Sequence, residues 1–128
     1  MGGADVVKSL YDAYAKRDIK GALDHCADDV VFHWVAEPEA RYTGVANGKQ
    51  EFLARLMMLD RDFDYQSYVP VEIIDGGDTV AAQVEIHLVH KETGRKLFAR
   101  TANFWTLRDG KVVKMIEYYD TALVASVI

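Results

Sequence analysis

An Asp-Gly pair, Asp109-Gly110, separates two long runs that are rich in apolar and β-branched residues, and it constrains the fold more than any other feature. Asp-Gly between such runs is a strong hairpin signal, because a type I′ turn needs positive φ at both central positions. The stretch from Leu97 to Asp120 therefore predicts two long antiparallel strands joined by a tight turn. We expect the rest of the chain to fold around this hairpin.

The turn also predicts how the two strands pair. With Arg108 opposite Lys111, Asn103 falls opposite Ile116. Because side chains alternate along a strand, one face of the hairpin then collects Asn103, Ile116, Thr101, Tyr118 and Asp120. Both faces are half apolar, which predicts a sheet covered on both sides. Asp120 is expected to end a strand and to point into an enclosed space.

Apolar spacing predicts three helices and further strands around the hairpin. The helices are expected over Asp5 to Ala15, Ile19 to about Cys26, with Asp18 as its cap, and Lys49 to about Asp62. The other strands are expected over Val30 to Val35, Tyr65 to Ile74, and the alternating run from Val80 to Leu88. A twelve-residue loop from Glu37 to Gly48 is long enough to be a lid or a pocket rim. This order predicts an α+β fold, with three N-terminal helices packed on one side of a curved antiparallel sheet.

Composition limits the class of protein. A chain of 128 residues, half of them hydrophobic, is expected to form a single domain over residues 1–128. A net charge of −5 without a basic cluster argues against nucleic acid and anionic membrane as partners. No apolar run or leader pattern points to a membrane or to secretion, so we expect a cytoplasmic protein. The single cysteine, Cys26, excludes an internal disulfide, and a buried, inert thiol is expected.

Three strings match one known fold family: KRDIKGALDHCADDVVFH, GKQEFLARL and DGKVVKMIEYYD. They resemble the nuclear transport factor 2-like superfamily, and within it the SnoaL-like and ketosteroid isomerase-like members. The resemblance covers nearly the whole chain and implies a cystatin-like cone, with a cavity between helices and sheet. It also implies a homodimer through the outer sheet face. The superfamily contains isomerases, cyclases, dehydratases, epoxide hydrolases and non-catalytic binders, so the fold alone does not fix the function.

The resemblance to ketosteroid isomerases does not extend to their full catalytic set. The position of their general base matches Trp34, and that of their oxyanion-hole tyrosine matches Leu10. Their oxyanion-hole aspartic acid matches Asn103. The sequence therefore argues against steroid isomerisation by that mechanism.

Two other subfamilies share a carboxylate at the end of the last strand, which matches Asp120. Epoxide hydrolase-like members also need an arginine and an aspartate where this chain has Val84 and Ile86. SnoaL-like cyclases use the last-strand aspartate as an acid/base, and that role can be carried over to Asp120.

The predicted catalytic residues are therefore Asp120 and Asn103. Asp120 is interpreted as a general acid/base whose pKa is raised by loss of water, and Asn103 as a group that orients a carbonyl. The structural alternatives are a carboxylate that caps the following TALV segment and a satisfied buried amide. The predicted ligand-binding residues are Tyr14, Trp34, Ile86, Thr101, Trp105, Ile116 and Tyr118. By strict alternation His33 points away from this space.

These predictions give a first hypothesis for the function. We expect a small-molecule enzyme that moves a proton on a hydrophobic carbonyl compound, in a cyclisation or an isomerisation, with no cofactor and no metal. A non-catalytic binder of small molecules and a dimeric interaction module are the alternatives from other classes.

Overall fold

The structure is a computed structural model that describes residues 2–128, and the sheet and helices follow the predicted order in outline. The helices are α1 (Gly3–Ala15), α2 (Ile19–Leu23), α3 (Gly48–Asp62) and α4 (Thr121–Ala125). The strands are β1 (Cys26–Val35), β2 (Gly44–Asn47), β3 (Phe63–Asp75), β4 (Thr79–His90), β5 (Lys96–Arg108) and β6 (Lys111–Tyr118). The α+β prediction is confirmed.

The differences from the predicted elements are local. Strand β2 lies inside the predicted loop, and α3 follows two strands, so the three predicted helices are not all N-terminal. Helix α4 was not predicted. Cys26 begins β1 instead of ending α2, but it is buried as expected. The predicted cap of α2 is confirmed, because the Asp18 carboxylate accepts a hydrogen bond from the Gly21 backbone N–H at 2.9 Å.

The six strands form one sheet in the order β2-β1-β6-β5-β4-β3. Strands β1 and β6 are parallel, and the other neighbours are antiparallel. The main core lies between the inner sheet face and helices α1 and α3, with Val7, Tyr11 and Leu56 among its buried residues. No helix within residues 2–128 has the length and apolar character needed to span a bilayer.

The predicted hairpin turn is confirmed. Asp109 and Gly110 have φ values of 52° and 75°, which is the positive-φ pair that a type I′ turn requires. Arg108 pairs with Lys111, as the turn predicts.

Beyond the turn the predicted register of the hairpin is wrong by one residue. Leu107 pairs with Val112 but Thr106 pairs with Lys114, so Val113 is an extra residue that forms a β-bulge. A shift of one residue exchanges the faces of every later side chain on β6. Asn103 consequently lies opposite Glu117 instead of Ile116.

Strands β4 and β5 pair so that buried residues of one strand lie opposite buried residues of the other. Val84 pairs with Thr101, and Ile86 pairs with Ala99. The inner face of β5 alternates as predicted: Leu97, Ala99, Thr101, Asn103, Trp105 and Leu107 are all buried. Strands β4 and β5 therefore present the expected residues to the helices.

Candidate active site

A cavity of about 130 Å³ lies between the inner sheet face and the helices. Its walls are almost entirely apolar and aromatic, and include Phe32, Trp34, Phe52, Leu56, Trp105 and Met115. A dry cavity of about 150 Å³ holds one benzene molecule, so this space suits a ligand of roughly one ring.

Glu117 is the acidic side chain placed among these rings. Its neighbours across the sheet are Trp34 on β1 and Asn103 on β5. The side chain keeps some accessible surface because it borders the cavity, although protein atoms surround it. Burial raises the pKa of Glu117 from 4.5 to about 7, and no hydrogen bond or cation in the described chain offsets it. Near neutral pH this carboxyl group can therefore both accept and release a proton.

A tyrosine hydroxyl is fixed on the same inner face. The side-chain amide of Asn103 donates to the Tyr11 hydroxyl oxygen at 2.8 Å, and the indole N–H of Trp105 donates to it at 2.9 Å. Among residues 2–128 the Tyr11 hydroxyl donates no hydrogen bond in return. Burial raises the pKa of Tyr11, so the hydroxyl keeps its proton and is arranged to donate it to an oxygen of a ligand.

Further hydroxyl groups border the cavity. The Tyr14 hydroxyl donates to that of Tyr65 at 3.1 Å, and the Tyr14 and Tyr68 rings meet edge to face at 4.7 Å. Thr101 is buried, and its hydroxyl has no hydrogen-bond partner within residues 2–128. An unpaired buried hydroxyl costs free energy, so a polar ligand atom beside Thr101 would be favourable.

Asp120 lies elsewhere than the hairpin register predicts. Strand β6 ends at Tyr118, and Asp120 is the N-cap of α4, where its Oδ1 accepts a hydrogen bond from the Leu123 N–H at 3.0 Å. The residue is exposed at the rim of the cavity. The Asp120 carboxylate therefore caps the TALV segment, as the structural alternative states. The acid/base role of Asp120 stays a prediction.

Two predicted ligand-binding residues lie on the wrong face because of the bulge at Val113. Tyr118 is 49% exposed and packs on Phe104 across the outer face. Ile116 borders an outer groove together with His33, which points away from the cavity as alternation predicts. Their places on the inner face are taken by Met115 and Glu117.

The other predicted ligand-binding residues line the cavity: Tyr14, Trp34, Ile86, Thr101 and Trp105. Asn103 is buried directly behind Tyr11 and reaches the cavity only through that hydroxyl. No group of three or more His, Cys, Asp or Glu side chains within residues 2–128 is arranged to hold a metal ion. Burial raises the pKa of the Cys26 thiol to about 12, which keeps it protonated.

Neither Glu117 nor Tyr11 is among the residues that the sequence predicts for the site. Strict alternation from the Asp109-Gly110 turn places Glu117 on the outer face. The sequence does contain one signal against the predicted register of the hairpin. With Arg108 opposite Lys111, the charged Lys114 would face inward beside Trp105. In the structure Lys114 is exposed. For Tyr11, the tyrosine expected from the resemblance was matched to Leu10, one residue away on the same helix.

Comparison with known proteins agrees with this architecture. The sequence model of the SnoaL-like domain family matches residues 7–115. No curated protein matches the chain. A nuclear transport factor 2-like protein of unknown function from Burkholderia pseudomallei superposes with a TM-score of 0.90 at 21% identity, over 100% of this chain and 98% of that one.

Two further solved structures carry more specific names. A protein from Mesorhizobium loti, named as a candidate SnoaL-like polyketide cyclase and also as a carbohydrate phosphatase, has a TM-score of 0.78 at 20% identity, over 93% of this chain and all of that one. TerC, co-crystallised with polyporic acid, has a TM-score of 0.79 at 24% identity, over 96% and 95% of the two chains. At these identities the likeness shows a shared fold.

Proposed function

The chain belongs to the SnoaL-like domain family of the nuclear transport factor 2-like superfamily, and from its cavity we propose that it transfers a proton on a small hydrophobic carbonyl compound. The observation that carries the proposal is the position of the Glu117 carboxyl group on the wall of an apolar cavity beside Trp34, where loss of water raises its pKa to about 7. A general acid/base works best when its pKa lies near the working pH. No cofactor is needed for this step.

In the proposed reaction the Glu117 carboxylate removes a proton from the carbon next to the carbonyl group. The C–H bonding electrons form an enolate, and Glu117 becomes a neutral carboxylic acid. Return of this proton to a conjugated carbon gives isomerisation. In D₂O the neutral Glu117 carboxyl group can first exchange its proton with the solvent, and delivery of the resulting deuteron to the same carbon gives exchange. A cyclisation would begin from the same enolate.

The Tyr11 hydroxyl is proposed to stabilise the enolate oxygen. Asn103 and Trp105 both donate to its oxygen, which fixes the hydroxyl and directs its proton elsewhere. A fixed donor aimed at a developing negative charge in an apolar site typically contributes about 100-fold to 1000-fold in rate. Thr101 offers a further hydroxyl on the same face.

Two of the structural neighbours support a cyclic, oxygenated substrate class. One is named as a candidate SnoaL-like polyketide cyclase, and the other was crystallised with polyporic acid. The aromatic walls of the present cavity would pack against a ring, since Trp34 and Phe52 lie nearly parallel with centroids 5.8 Å apart. The small volume of the cavity limits the proposal to a ligand of about one ring.

The proposal is tested by proton exchange into a small ketone. The protein is incubated with 3-cyclohexen-1-one in D₂O, and deuterium incorporation at the α-carbon is measured by ¹H NMR. We expect the protein to accelerate this incorporation. The rate should rise with pH and level off above a midpoint near 7, because the base is the ionised form of Glu117. Saturable binding of the ketone without exchange would instead favour a binding protein. If the ketone shows neither binding nor exchange, the proposal is contradicted.

We also propose that the protein forms a homodimer through the outer sheet face. That face exposes several large apolar side chains: Phe98 at 53%, Phe104 at 44% and Tyr118 at 49%. It also carries the ion pair between Arg100 and Glu85 at 3.2 Å, so it is both apolar and polar. Exposed clusters of this kind commonly mark interfaces.

The Phe104→Asp variant tests the dimer, because it places a charge in the centre of this face. Sedimentation equilibrium should show a dimer for the wild type and a monomer for the variant. Met57→Asp is the matched control, since Met57 is 65% exposed on α3 and away from the sheet. A wild-type monomer, or a dimer unaffected by Phe104→Asp, would contradict this interface.

A further inference from the structure

Arg55 carries the single positive charge on the cavity wall within the described chain. It lies on α3, and its Nη1 donates to the backbone oxygen of Thr43 at 2.6 Å. Its guanidinium carbon is 5.6 Å from the centroid of the Trp34 ring. Among residues 2–128 one hydrogen bond and one cation–π contact thus hold the guanidinium beside the apolar cavity, and its remaining N–H groups can donate to a ligand.

Arg55 is half-buried on the cavity wall without a carboxylate partner among residues 2–128, whereas the other arginines without such a partner, Arg95 and Arg108, are exposed. Four other arginines within residues 2–128 form ion pairs: Arg17 with Asp60, Arg41 with Asp62 at 3.0 Å, Arg61 with Asp62 at 3.5 Å, and Arg100 with Glu85 at 3.2 Å. Within residues 2–128 no acidic oxygen lies within 4.0 Å of Arg55. A guanidinium that is half-buried against aromatic rings has lost part of its hydration, and an anionic ligand would restore the lost interactions.

Glu117 does not serve as that partner. Within residues 2–128 no ion pair joins its carboxyl group to Arg55, and burial raises the pKa of Glu117, whereas a paired cation would lower it. The two groups nevertheless flank one side chain, because Trp34 is the sheet neighbour of Glu117 and also the ring beneath Arg55. A ligand packed against Trp34 would therefore lie beside both Arg55 and Glu117.

From this arrangement we infer that the ligand of the cavity is a monoanion, in which one ring carries a carboxylate or similar anionic oxygen group that binds Arg55. The inference rests on the proposed function, since it assigns the substrate class of the same site. Arg55 is the specificity-determining residue: its planar fork of donors matches a carboxylate in a two-point contact. The reacting carbon of the ligand then lies toward Glu117.

A matched pair of probes isolates the anionic group. 4-Fluorobenzoate and 4-fluorobenzamide have nearly the same shape and differ in charge, and ¹⁹F NMR reports the binding of each. The measurement is made at pH 6.0, where most of the Glu117 carboxyl groups are protonated and do not repel the benzoate. The wild type should bind 4-fluorobenzoate about tenfold more tightly than 4-fluorobenzamide, as a charge-assisted contact implies.

Variants at Arg55 assign the preference to this side chain. Arg55→Gln should reduce the preference for the benzoate to about onefold while it binds the benzamide like the wild type, which shows that the cavity is intact. Arg55→Lys, which keeps the charge but not the planar fork, should restore part of the preference. Arg108→Gln removes an exposed charge at the hairpin turn and should keep the full preference.

The outcomes separate this inference from the proposed function. Equal binding of the two probes by the wild type, or a preference that survives Arg55→Gln, overturns the anionic ligand and leaves the cavity and Glu117 in place. If neither probe binds, both the inference and the interpretation of the cavity as a ligand site are overturned. Exchange into the ketone, which carries no charge, tests Glu117 independently.

Discussion

Replacement of Glu117 with Gln is expected to lower the rate of α-proton exchange by about 100-fold to 10,000-fold, the usual contribution of a positioned general acid/base. Gln has almost the same shape and cannot accept the proton. The loss should appear in kcat, because the ketone still packs against the same rings and its oxygen still meets Tyr11. The assay is deuterium incorporation into 3-cyclohexen-1-one at pH 8.

The matched control is Asp120→Asn, which tests the residue that the sequence favours. Asn is as good an N-cap as Asp, so α4 should keep its capping hydrogen bond to Leu123 and the variant should fold. We expect Asp120→Asn to exchange within about threefold of the wild type, because its exposed carboxylate has water around it. The reverse pattern, with Glu117→Gln active and Asp120→Asn inactive, would return the catalytic role to Asp120.

Glu117 should also make the stability of the protein depend on pH. Below about pH 4.5 the residue is protonated in both the folded and the unfolded chain. As the pH rises from 4.5 to about 7, the unfolded chain loses this proton while the folded chain retains it, so the free energy of unfolding falls. A rise in pKa from 4.5 to about 7 corresponds to roughly 3 kcal/mol, and the loss levels off above pH 7.

Urea unfolding of the wild type and of Glu117→Gln at pH 4.5 and pH 8 measures this effect. The stability of the variant relative to the wild type should increase by about 3 kcal/mol between the two pH values, since Gln never carries the charge. Subtracting the free energy of unfolding of the wild type from that of the variant removes the contributions of all other titrating groups, which the two proteins share. Glu72→Gln, at an exposed position on β3, should show no such increase. A Glu117→Gln difference that stays constant with pH would contradict a raised pKa.

The sequence was sufficient for the fold because local signals agreed with one another. The Asp109-Gly110 turn, the alternation along β4 and the helical spacing of Val7, Leu10 and Tyr14 are each determined by neighbouring residues. The hairpin therefore turns at the predicted residues, and the side chains of β5 that were expected to face inward are buried in the structure.

The site was less predictable because one extra residue, Val113, decides which side chains of β6 face the cavity. The bulge at Val113 is not encoded by a Gly or Pro, and both Val112 and Val113 suit a strand. It turns Lys114 outward and brings Met115 to the core, and with the same step it turns Glu117 inward. Burial of an acid is costly, so simple patterning places Glu117 in solvent. A side chain that breaks such a rule is typical of a functional site.

Arg55 was missed for a related reason. On a helix with apolar residues at Phe52, Leu56 and Leu59, an arginine is normally a solvated side chain. Its place beside Trp34 depends on how α3 crosses β1 and on the backbone of Thr43 in the preceding loop. Those contacts are tertiary and leave no periodic signal in the sequence.

The central claim, a carboxyl group on the inner sheet face that titrates near neutral pH, is tested most directly by NMR. The ¹³C shift of the Glu117 side-chain carboxyl, assigned by its absence in Glu117→Gln, is followed from pH 3 to pH 10. Our account predicts a midpoint near 7. A midpoint near 4.5, the value of a solvated glutamate, would show that Glu117 faces water and would contradict both the site and the proposed reaction.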